Sequence, residues 1–554
     1  MLPIVAYIVA CFLCGLYFRA PRSRRRPWIL LATCALLCAS YLAAGETFLP
    51  GLSLFSVSSG GEHLSEGGSP ALRKEPIPGL MEVLPRAESA VSNAFAKFRS
   101  LEGSAAAARV AVALYLLGAA AILFEPRYGL YLILFGALLG DAILLPWYPF
   151  VKGCSSPESL FFVDDRFIVS PLEIYIVLTA LSWSARRIRR RDLHVVRGPL
   201  FWPAMAFSAA LVCGLAYGIG TGGDLRIALW EARAVFYLVP LLLLTSNLVD
   251  EPAHATWLLW AALAAVFLKG VVASLYYLLV LRGDLNGVEG IAEHGAAIHL
   301  NALFVAALAA WIFTTSRSTR IVLPLLLALI ALGYIAMQRR AAFVTLAVAS
   351  VLLLAFLFKQ RRGLFWRVAP AFLLLSAGYV AIGWNGRNTL AIPARAIQSA
   401  IVARQASGGD QSSNDHRMLE NRNIAATIHA HPLAGIGFGQ KYSMAVPMTD
   451  LSRSFEWWEY ITHNSILWIW MKAGLAGFFA LLCLMGLAVL SGVRSLDRLP
   501  WDGLGFVVLM ATLYLVMHFI YAGVDMSWDA ASIVFVGALM GVIDRAESIA
   551  ARRA

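Results

Sequence analysis

The stretch T-H-N-S-I-L-W-I-W-M-K-A-G-L-A-G occupies residues 462–477 and opens a long apolar run. His463 and Asn464 stand just ahead of that run, whereas Lys472 and two glycines lie within it. Upstream, residues 431–439 read H-P-L-A-G-I-G-F-G. Both stretches lie at or near the end of the longest polar segment in a chain that is otherwise mostly apolar. The histidine is therefore expected at the boundary between a membrane and water.

The composition of the 554 residues is that of a helical membrane protein. Apolar residues make up 60% of the chain and charged residues only 14%, whereas soluble domains are about half apolar and a quarter charged. Many windows reach the ~20 apolar residues that a helix needs to cross the hydrocarbon layer of a bilayer. We therefore predict an all-α polytopic membrane protein with about 12–15 transmembrane helices.

Apolar runs mark the expected spans. They lie near residues 3–18, 28–44, 105–124, 128–146, 168–184, 199–217, 229–248, 256–280, 296–313, 320–337, 341–358, 367–384, 464–490, 503–521 and 530–543. The polar segments between them suggest three units, which are an N-terminal transmembrane bundle over 1–384, a large loop over 385–462 and C-terminal transmembrane helices over 463–554. Residues 45–104 form a second long polar segment. Its Gly/Ser-rich start and amphipathic end predict a flexible stretch followed by an interfacial helix.

The distribution of basic residues orients the predicted bundle. Arginine-rich clusters occur at 19–26, 186–197 and 359–367. If these clusters lie in the cytoplasm, the cytoplasmic loops carry roughly three times the density of Lys and Arg of the external loops. Alternation of the spans then places 45–104 and 385–462 on the external side. Anchoring to anionic lipid head groups explains the net charge of +12, so no nucleic-acid partner is required.

Several motifs follow one another in the last third of the chain. Arg417 precedes the His-Pro pair that ends at Pro432, a Gly-x-Gly-x-Gly run begins at Gly435, and His463 stands at the start of a helix with a G-x-x-G pattern. In order, spacing and topology, residues 417–477 resemble the shared C-terminal signature of the O-antigen ligases and O-antigen (Wzy-type) polymerases. That family also includes oligosaccharyltransferases that modify proteins.

The resemblance implies a membrane glycosyltransferase with a lipid-linked donor. Such enzymes take a glycan from undecaprenyl diphosphate on the periplasmic face of the bacterial inner membrane. They pass it to a hydroxyl on the lipid A-core of lipopolysaccharide, on another glycan chain or on a protein. The resemblance implies neither a nucleotide sugar nor a cofactor or metal. Ligase and polymerase stay open as alternatives, and a polysaccharide or lipid transporter and a structural subunit of an envelope complex are two further classes.

A transfer of this kind requires two types of side chain. The lipid diphosphate leaves readily if its growing negative charge is neutralised, which arginine does with bidentate geometry. The acceptor hydroxyl is a poor nucleophile until a base takes its proton, and an imidazole with a pKa of about 6.5 suits that task. We therefore predict His463 as the catalytic base. The alternative is a hydrogen-bonded histidine at a helix N-terminus.

Four arginines are candidates for binding the diphosphate or glycan. Arg339 and Arg340 occupy a short external turn in Y-I-A-M-Q-R-R-A-A-F, where the family commonly has Ser-Arg-Gly. Alignment of the following Ala-Ala-Phe gives Arg340 the arginine position, with Arg339 in place of the serine, so the choice between them stays open. Arg233, in L-W-E-A-R-A-V-F-Y, and Arg417 match further family arginines. The alternatives are lipid anchoring for the turn, a carboxylate pair for Arg233 and a solvated helix surface for Arg417.

The remaining candidates support the site. Lys472, about two turns into its helix, either faces the donor phosphate in a wet cavity or pairs with a buried acid. Asn464 is expected to cap the helix or to orient the imidazole. Gly435 and Gly437 are expected to permit a tight turn at the membrane rim, and Gly474 to permit close helix packing.

Other polar residues near the membrane have no role in this scheme. His416, His429 and His431 suggest a metal site, but no acidic cluster completes it in the sequence, so we predict no metal. Lys269 and Glu173 are charges within predicted spans. Charged residues at such positions are functional candidates by default.

Overall fold

The structure, a computed structural model, describes most of the chain. The described residues are 2–17 and 105–552, except 146, 157–158, 163–168, 193, 286–287, 289, 314–316, 387, 402–407, 449, 451 and 453–456. The expected span at 28–44 and the polar segment 45–104 with its predicted interfacial helix therefore lie outside the described residues.

Seventeen α-helices run through the described residues, and none of those residues forms a strand. The helices are α1 Leu2–Tyr17, α2 Ala105–Phe124, α3 Arg127–Leu139, α4 Pro171–Arg189, α5 Phe201–Gly220, α6 Leu225–Phe236, α7 Leu238–Leu248, α8 Pro252–Leu275, α9 Ala296–Phe313, α10 Arg317–Ala336, α11 Arg340–Gln360, α12 Arg362–Gly383, α13 Ile392–Ile401, α14 Gly408–Ala430, α15 Ser465–Leu496, α16 Gly503–Ala522 and α17 Ala530–Ala551.

Nine helical segments of the described residues are long and apolar enough to cross a membrane, with α6 and α7 counted as one segment. Every predicted span within the described residues coincides with a helix, although the bounds shift by a few residues. The prediction of an all-α polytopic membrane protein is confirmed. The number of spans in the whole chain stays a prediction.

Helix α16 lies at the centre of the bundle, because 94% of its most apolar window is buried, against 6% for α12 at the periphery. Helix α15 packs along α5, α1 and α16, and α17 packs along α7. The burial of apolar side chains from these helices forms one continuous core. Helices α5 and α15 enclose the loop that precedes the candidate site.

Helix α15 is broken in its middle. Gly474 has φ 67° and ψ −173°, a conformation outside the helical region. A helix broken at membrane depth frees backbone groups that lipid cannot satisfy, so other parts of the protein must bond them. The expectation that Gly474 only permits close helix packing was therefore incomplete, because the glycine provides a left-handed backbone conformation that side chains with a Cβ rarely adopt.

The chain between α14 and α15 supplies the missing bonds. Residues 431–440, here called the glycine loop, insert between α5 and α15. Ile436 donates its backbone N–H to the carbonyl of Met471 at 2.7 Å, and the N–H of Leu475 donates to the carbonyl of Leu433 at 3.0 Å. The two bonds lie on either side of the break. The break and the loop thus satisfy each other's backbone groups.

The glycines of this loop allow backbone to lie directly against backbone. Gly435 and Gly437 have φ of 70° and 84°. A Cβ on Gly437 would lie 2.3 Å from the Cα of Gly218 on α5, which no side chain can occupy. The tight turn expected from the sequence is therefore an insertion between two helices rather than a turn at the rim.

A buried ion pair holds the end of the glycine loop. The Lys472 ammonium lies 2.8 Å from the Glu231 carboxylate, and neither side chain is exposed. Lys472 also donates to the carbonyl of Gln440 at 2.6 Å. Glu231 accepts the backbone N–H of Gly439 at 2.6 Å. The pair thereby joins α6, α15 and the loop at one point.

Replacing Gly474 with alanine is expected to destabilise the protein by at least about 2 kcal/mol, since the residue would be left-handed and its Cβ would meet backbone. A Cβ there would lie 2.2 Å from the carbonyl oxygen of Leu433. Thermal unfolding in detergent, followed by tryptophan fluorescence, measures the effect. Gly378→Ala on α12 is the matched control, because nothing lies within 4 Å of its added Cβ. Equal melting temperatures for the two variants would contradict this account of the break.

Lys472→Met is expected to destabilise the protein by about 3–5 kcal/mol, because it leaves the Glu231 carboxylate buried without a counter-charge. The double variant Lys472→Met, Glu231→Gln should recover most of that loss, since the glutamine oxygen still accepts the N–H of Gly439. Thermal unfolding of Lys472→Met, Glu231→Gln and the double variant completes the double-mutant cycle. Additive losses would show that the two side chains do not depend on each other.

Candidate functional site

His463 stands directly before the capped start of α15. The side-chain oxygen of Asn464 accepts the N–H of Leu467 at 3.1 Å, which makes Asn464 the N-cap. The amide nitrogen of Asn464 donates to the side-chain oxygen of Asn421 on α14 at 3.2 Å. The cap therefore fixes the position of His463 relative to both α14 and α15.

Helix α14 forms one wall of the site. It begins at Gly408, so the helix includes most of the polar stretch S-G-G-D-Q-S-S-N-D, residues 407–415. Acidic and hydroxyl residues suit the first turns of a helix, where the helix dipole favours negative charge, so the polar composition of this stretch is compatible with a helix start.

Glu420 on α14 orients the imidazole of His463. The two carboxylate oxygens lie 3.2 and 3.1 Å from Nδ1 of His463. One of them also accepts the backbone N–H of His463 at 3.0 Å. A carboxylate on Nδ1 favours the tautomer that carries its proton there, which leaves Nε2 free to accept a proton. The His463 side chain is 22% exposed and Glu420 only 4%.

A second group of charged side chains lies near the imidazole. The rings of His294 and His463 are 5.9 Å apart. Nδ1 of His294 lies 2.8 Å from one oxygen of Asp525, and Arg417 on α14 lies 3.4 Å from the other oxygen. Burial opposes ionisation of Asp525, but the hydrogen bond with His294 and the charge of Arg417 outweigh it and hold the pKa of Asp525 well below its usual value.

The loop after α16 presents Asp525. The hydroxyl of Ser465, the first residue of α15, donates to the backbone carbonyl of Asp525 at 3.0 Å and accepts the N–H of Ser527 at 3.0 Å. The hydroxyl of Tyr521 donates to the carbonyl of His294 at 2.6 Å. These bonds attach the loop to the start of α15, so Asp525 and His463 are held on one frame.

The turn before α11 reaches the same region. Nη2 of Arg340 donates to the side-chain oxygen of Asn414 on α14 at 3.1 Å. Arg339 lies at the N-cap of α11 and donates to the carbonyl of Ala292 at 3.5 Å, two residues before His294. Gln338 ahead of them has φ 56°, a left-handed conformation that is uncommon outside glycine. Both arginines thus contact segments that carry other members of the cluster.

Arg233 and Lys472 lie in separate ion pairs. Arg233 is bonded to the carboxylate of Glu173 on α4 and donates to the hydroxyl of Ser170 at 2.9 Å. Of the alternatives considered for Arg233, the structure has a carboxylate pair, formed across helices. Lys472 forms the buried pair with Glu231, so it lines no wet cavity. Neither contacts His463.

Three side chains around His463 are of the types that hold metal ions. His416, Glu420 and His463 each offer one ligand atom, and these atoms lie within 4.8 Å of one another. Burial, together with the charges of His463 and Arg417, lowers the pKa of His416 and favours its neutral form, against the opposing charge of Glu420. The sequence suggested His416, His429 and His431 as candidate ligands, whereas the structure brings His416 together with Glu420, one helical turn away, and with His463.

Sequence reasoning missed Glu420, His294 and Asp525. The spacing of four residues between His416 and Glu420 places them on one face of a helix, and this spacing was the available signal for Glu420. Asp525 lies in a short polar segment between two apolar runs, which marks it as an acid at a membrane boundary. His294 has no comparable signal, because nothing near it in the sequence indicates that it contacts Asp525 in the loop after α16.

Comparison with known proteins finds a similar family. A comparison with curated proteins finds no match. The family model described as O-Antigen ligase matches residues 302–482, about a third of the chain, and this range contains Arg339, Arg340, Arg417 and His463. The match confirms the resemblance of this multi-pass membrane chain to the O-antigen ligase superfamily that residues 417–477 predicted.

Proposed function

We propose that the chain is a membrane glycosyltransferase that moves a glycan from undecaprenyl diphosphate to a hydroxyl acceptor at the periplasmic face of the bacterial inner membrane. The superfamily provides the coarser part, a membrane glycan-handling function of ligase or polymerase type. One observation carries the finer proposal. A histidine oriented by a carboxylate and an arginine both contact the same helix, α14. His463 contacts Glu420 of this helix, and Arg340 contacts Asn414 of it.

His463 acts as the base in this proposal. The acceptor oxygen attacks the anomeric carbon of the donor glycan, its proton passes to Nε2 of His463, and the bond between that carbon and the diphosphate oxygen breaks. Glu420 holds Nδ1 and stabilises the imidazolium as it forms, as a buried carboxylate does in other histidine–carboxylate pairs. Glu420 is a positioning residue, since it reaches the substrate only through His463.

Arginines near the histidine neutralise the leaving diphosphate. Arg339 and Arg340 are the first candidates, because they contact Ala292, close to His294, and Asn414 on α14, the helix that carries Glu420. The Nε of Arg339 is buried without a hydrogen-bond partner, so it has a donor to offer. Arg417 shares its charge with Asp525 and is better suited to fix the cluster than to bind the donor tightly. Arg233 is withdrawn from the donor role, because Glu173 already neutralises it.

The proposal does not require a metal. The positive charge needed at the diphosphate comes from guanidinium groups, which serve the same electrostatic purpose as a bound cation. A metal ion held by His416, Glu420 and His463 would engage both the imidazole and the carboxylate that the proposal uses for proton transfer. The acceptor, whether lipid A-core, a glycan or a protein, has no assignment from these residues.

The purified protein in proteoliposomes is expected to transfer glycan from an undecaprenyl-diphosphate donor to a suitable acceptor. The variant His463→Ala should abolish this reaction, although the variant protein still inserts into the membrane and accumulates. Glu420→Gln should lower kcat at least about tenfold, because the histidine loses its oriented tautomer, and should leave the KM for the donor unchanged. Glycan products are followed by gel mobility.

The matched control is His429→Ala, an exposed histidine at the end of α14, which should transfer glycan like the unmodified protein. Normal product ladders from His463→Ala would reject the base assignment. Movement of the lipid-linked glycan across the membrane without a new glycosidic bond would instead support a transporter.

The double variant Arg339→Ala, Arg340→Ala is expected to raise the KM for the donor at least tenfold and to lower kcat, because two cations near the diphosphate are lost. The same assay with the donor concentration varied measures both constants. Arg226→Ala removes an exposed arginine from the first turn of α6, near the glycine loop, and should change neither constant. Unchanged donor kinetics in the double variant would place the diphosphate elsewhere.

A further inference from the structure

A large basic cavity lies at the end of the bundle opposite His463. Its volume is about 930 Å³. Helix α17 begins five residues after Asp525 and carries Arg545 of the cavity wall near its other end. A helix of 22 residues spans about 33 Å, so the cavity and the candidate active site are separated by the depth of the bundle.

The cavity wall carries an excess of positive charge. Its arginines are Arg127, Arg186, Arg187, Arg190, Arg197, Arg545 and Arg552, and its carboxylates are Glu125, Asp192 and Asp250. Each carboxylate already has an arginine partner in the wall, through the pairs Arg127–Asp250, Arg186–Glu125 and Arg187–Asp192. Four guanidinium groups of the wall therefore remain in excess of its acids.

Arg545 is the most informative of these four. It is only 8% exposed, and its Nε is buried without a hydrogen-bond partner. The adjacent Asp544 is committed elsewhere, because its oxygens accept the N–H of Leu200 at 2.7 Å and the hydroxyl of Ser246 at 3.0 Å. A buried cation without a close counter-charge is costly. The cavity therefore favours an anion that enters and bonds this guanidinium.

The surroundings of the cavity indicate how such an anion is attached. An exposed aromatic side chain lies next to it at the start of α5, where Trp202 is 65% exposed. The guanidinium of Arg197, a residue of the cavity wall, lies 6.0 Å from the ring of Trp202. Exposed tryptophans at helix ends are typical of the level of the lipid head groups, so an anion with attached tails fits the cavity and its flank together.

We propose that this cavity binds the phosphate head group of an acidic phospholipid, with Arg545 and Arg190 as its principal ligands and the acyl chains beside Trp202 at the start of α5. Guanidinium groups bind phosphate oxygens in bidentate geometry, and basic pockets between helix ends on the cytoplasmic side are typical of such lipids. The distribution of basic residues predicts that this end faces the cytoplasm. The site is separate from the proposed transfer reaction.

The test compares lipids on the delipidated full-length protein in detergent. Phosphatidylglycerol and cardiolipin are expected to raise the melting temperature and to remain bound in native mass spectrometry, whereas phosphatidylcholine does neither. Inorganic phosphate at matched concentration should give no comparable rise. Equal stabilisation by phosphatidylcholine, or full stabilisation by inorganic phosphate alone, would overturn the assignment to an acidic lipid.

Variants locate the site. Arg545→Gln should weaken acidic-lipid binding at least about tenfold, and without lipid it should leave the melting temperature unchanged or higher, since it removes an unpaired buried charge. Arg190→Gln, on an exposed position, should weaken binding without any risk to folding. Arg367→Gln removes another exposed arginine outside the cavity and is the matched control. Equal lipid binding in Arg190→Gln and Arg367→Gln would reject the site.

Discussion

The structure depends on the mutual satisfaction of a broken helix and an inserted loop. Gly474 interrupts α15 where the helix is buried in the bundle, and the glycine loop bonds the groups that the break frees on either side, at Met471 and Leu475. Neither element is stable at that depth alone, because each exposes backbone donors and acceptors. The buried Glu231–Lys472 pair fixes the end of the loop, because a protein interior tolerates charges that are paired. These contacts together form a joint between α15 and the glycine loop.

That joint sets the geometry of the candidate site. The glycine loop follows α14 directly and is fixed by its bonds to α15, so the end of α14 is fixed relative to the start of α15 as well. Glu420 and His463 belong to these two helices and meet within hydrogen-bond distance. The loop from α16 joins the same frame through Ser465. A base oriented by rigid helices keeps one tautomer and one position, which general-base catalysis requires.

Three groups of charges among the described residues have different physical roles. Pairs across helices, such as Arg233–Glu173 and the buried Lys472–Glu231, are neutral overall and hold helices together. The cluster around His463 is only partly neutralised and partly exposed, which suits a polar reaction at the edge of a membrane. The basic cavity at the opposite end has cations in excess of its acids, and such an excess calls for an external anion. The presence of an arginine in a membrane protein does not by itself distinguish these roles. The group that the arginine contacts does.

The sequence by itself determined the class of fold, the apolar helices of the described residues and the family resemblance, since apolar runs of fixed length and motifs in fixed order are local properties of the chain. It also placed His463 at the start of α15. Only the tertiary structure decided which charges meet. Glu420, His294 and Asp525 come from three separate segments. Lys472 and Arg233 form ion pairs with carboxylates on other helices. Pairing across helices depends on packing and on the path of loops such as residues 431–440, and no periodicity along the chain encodes either.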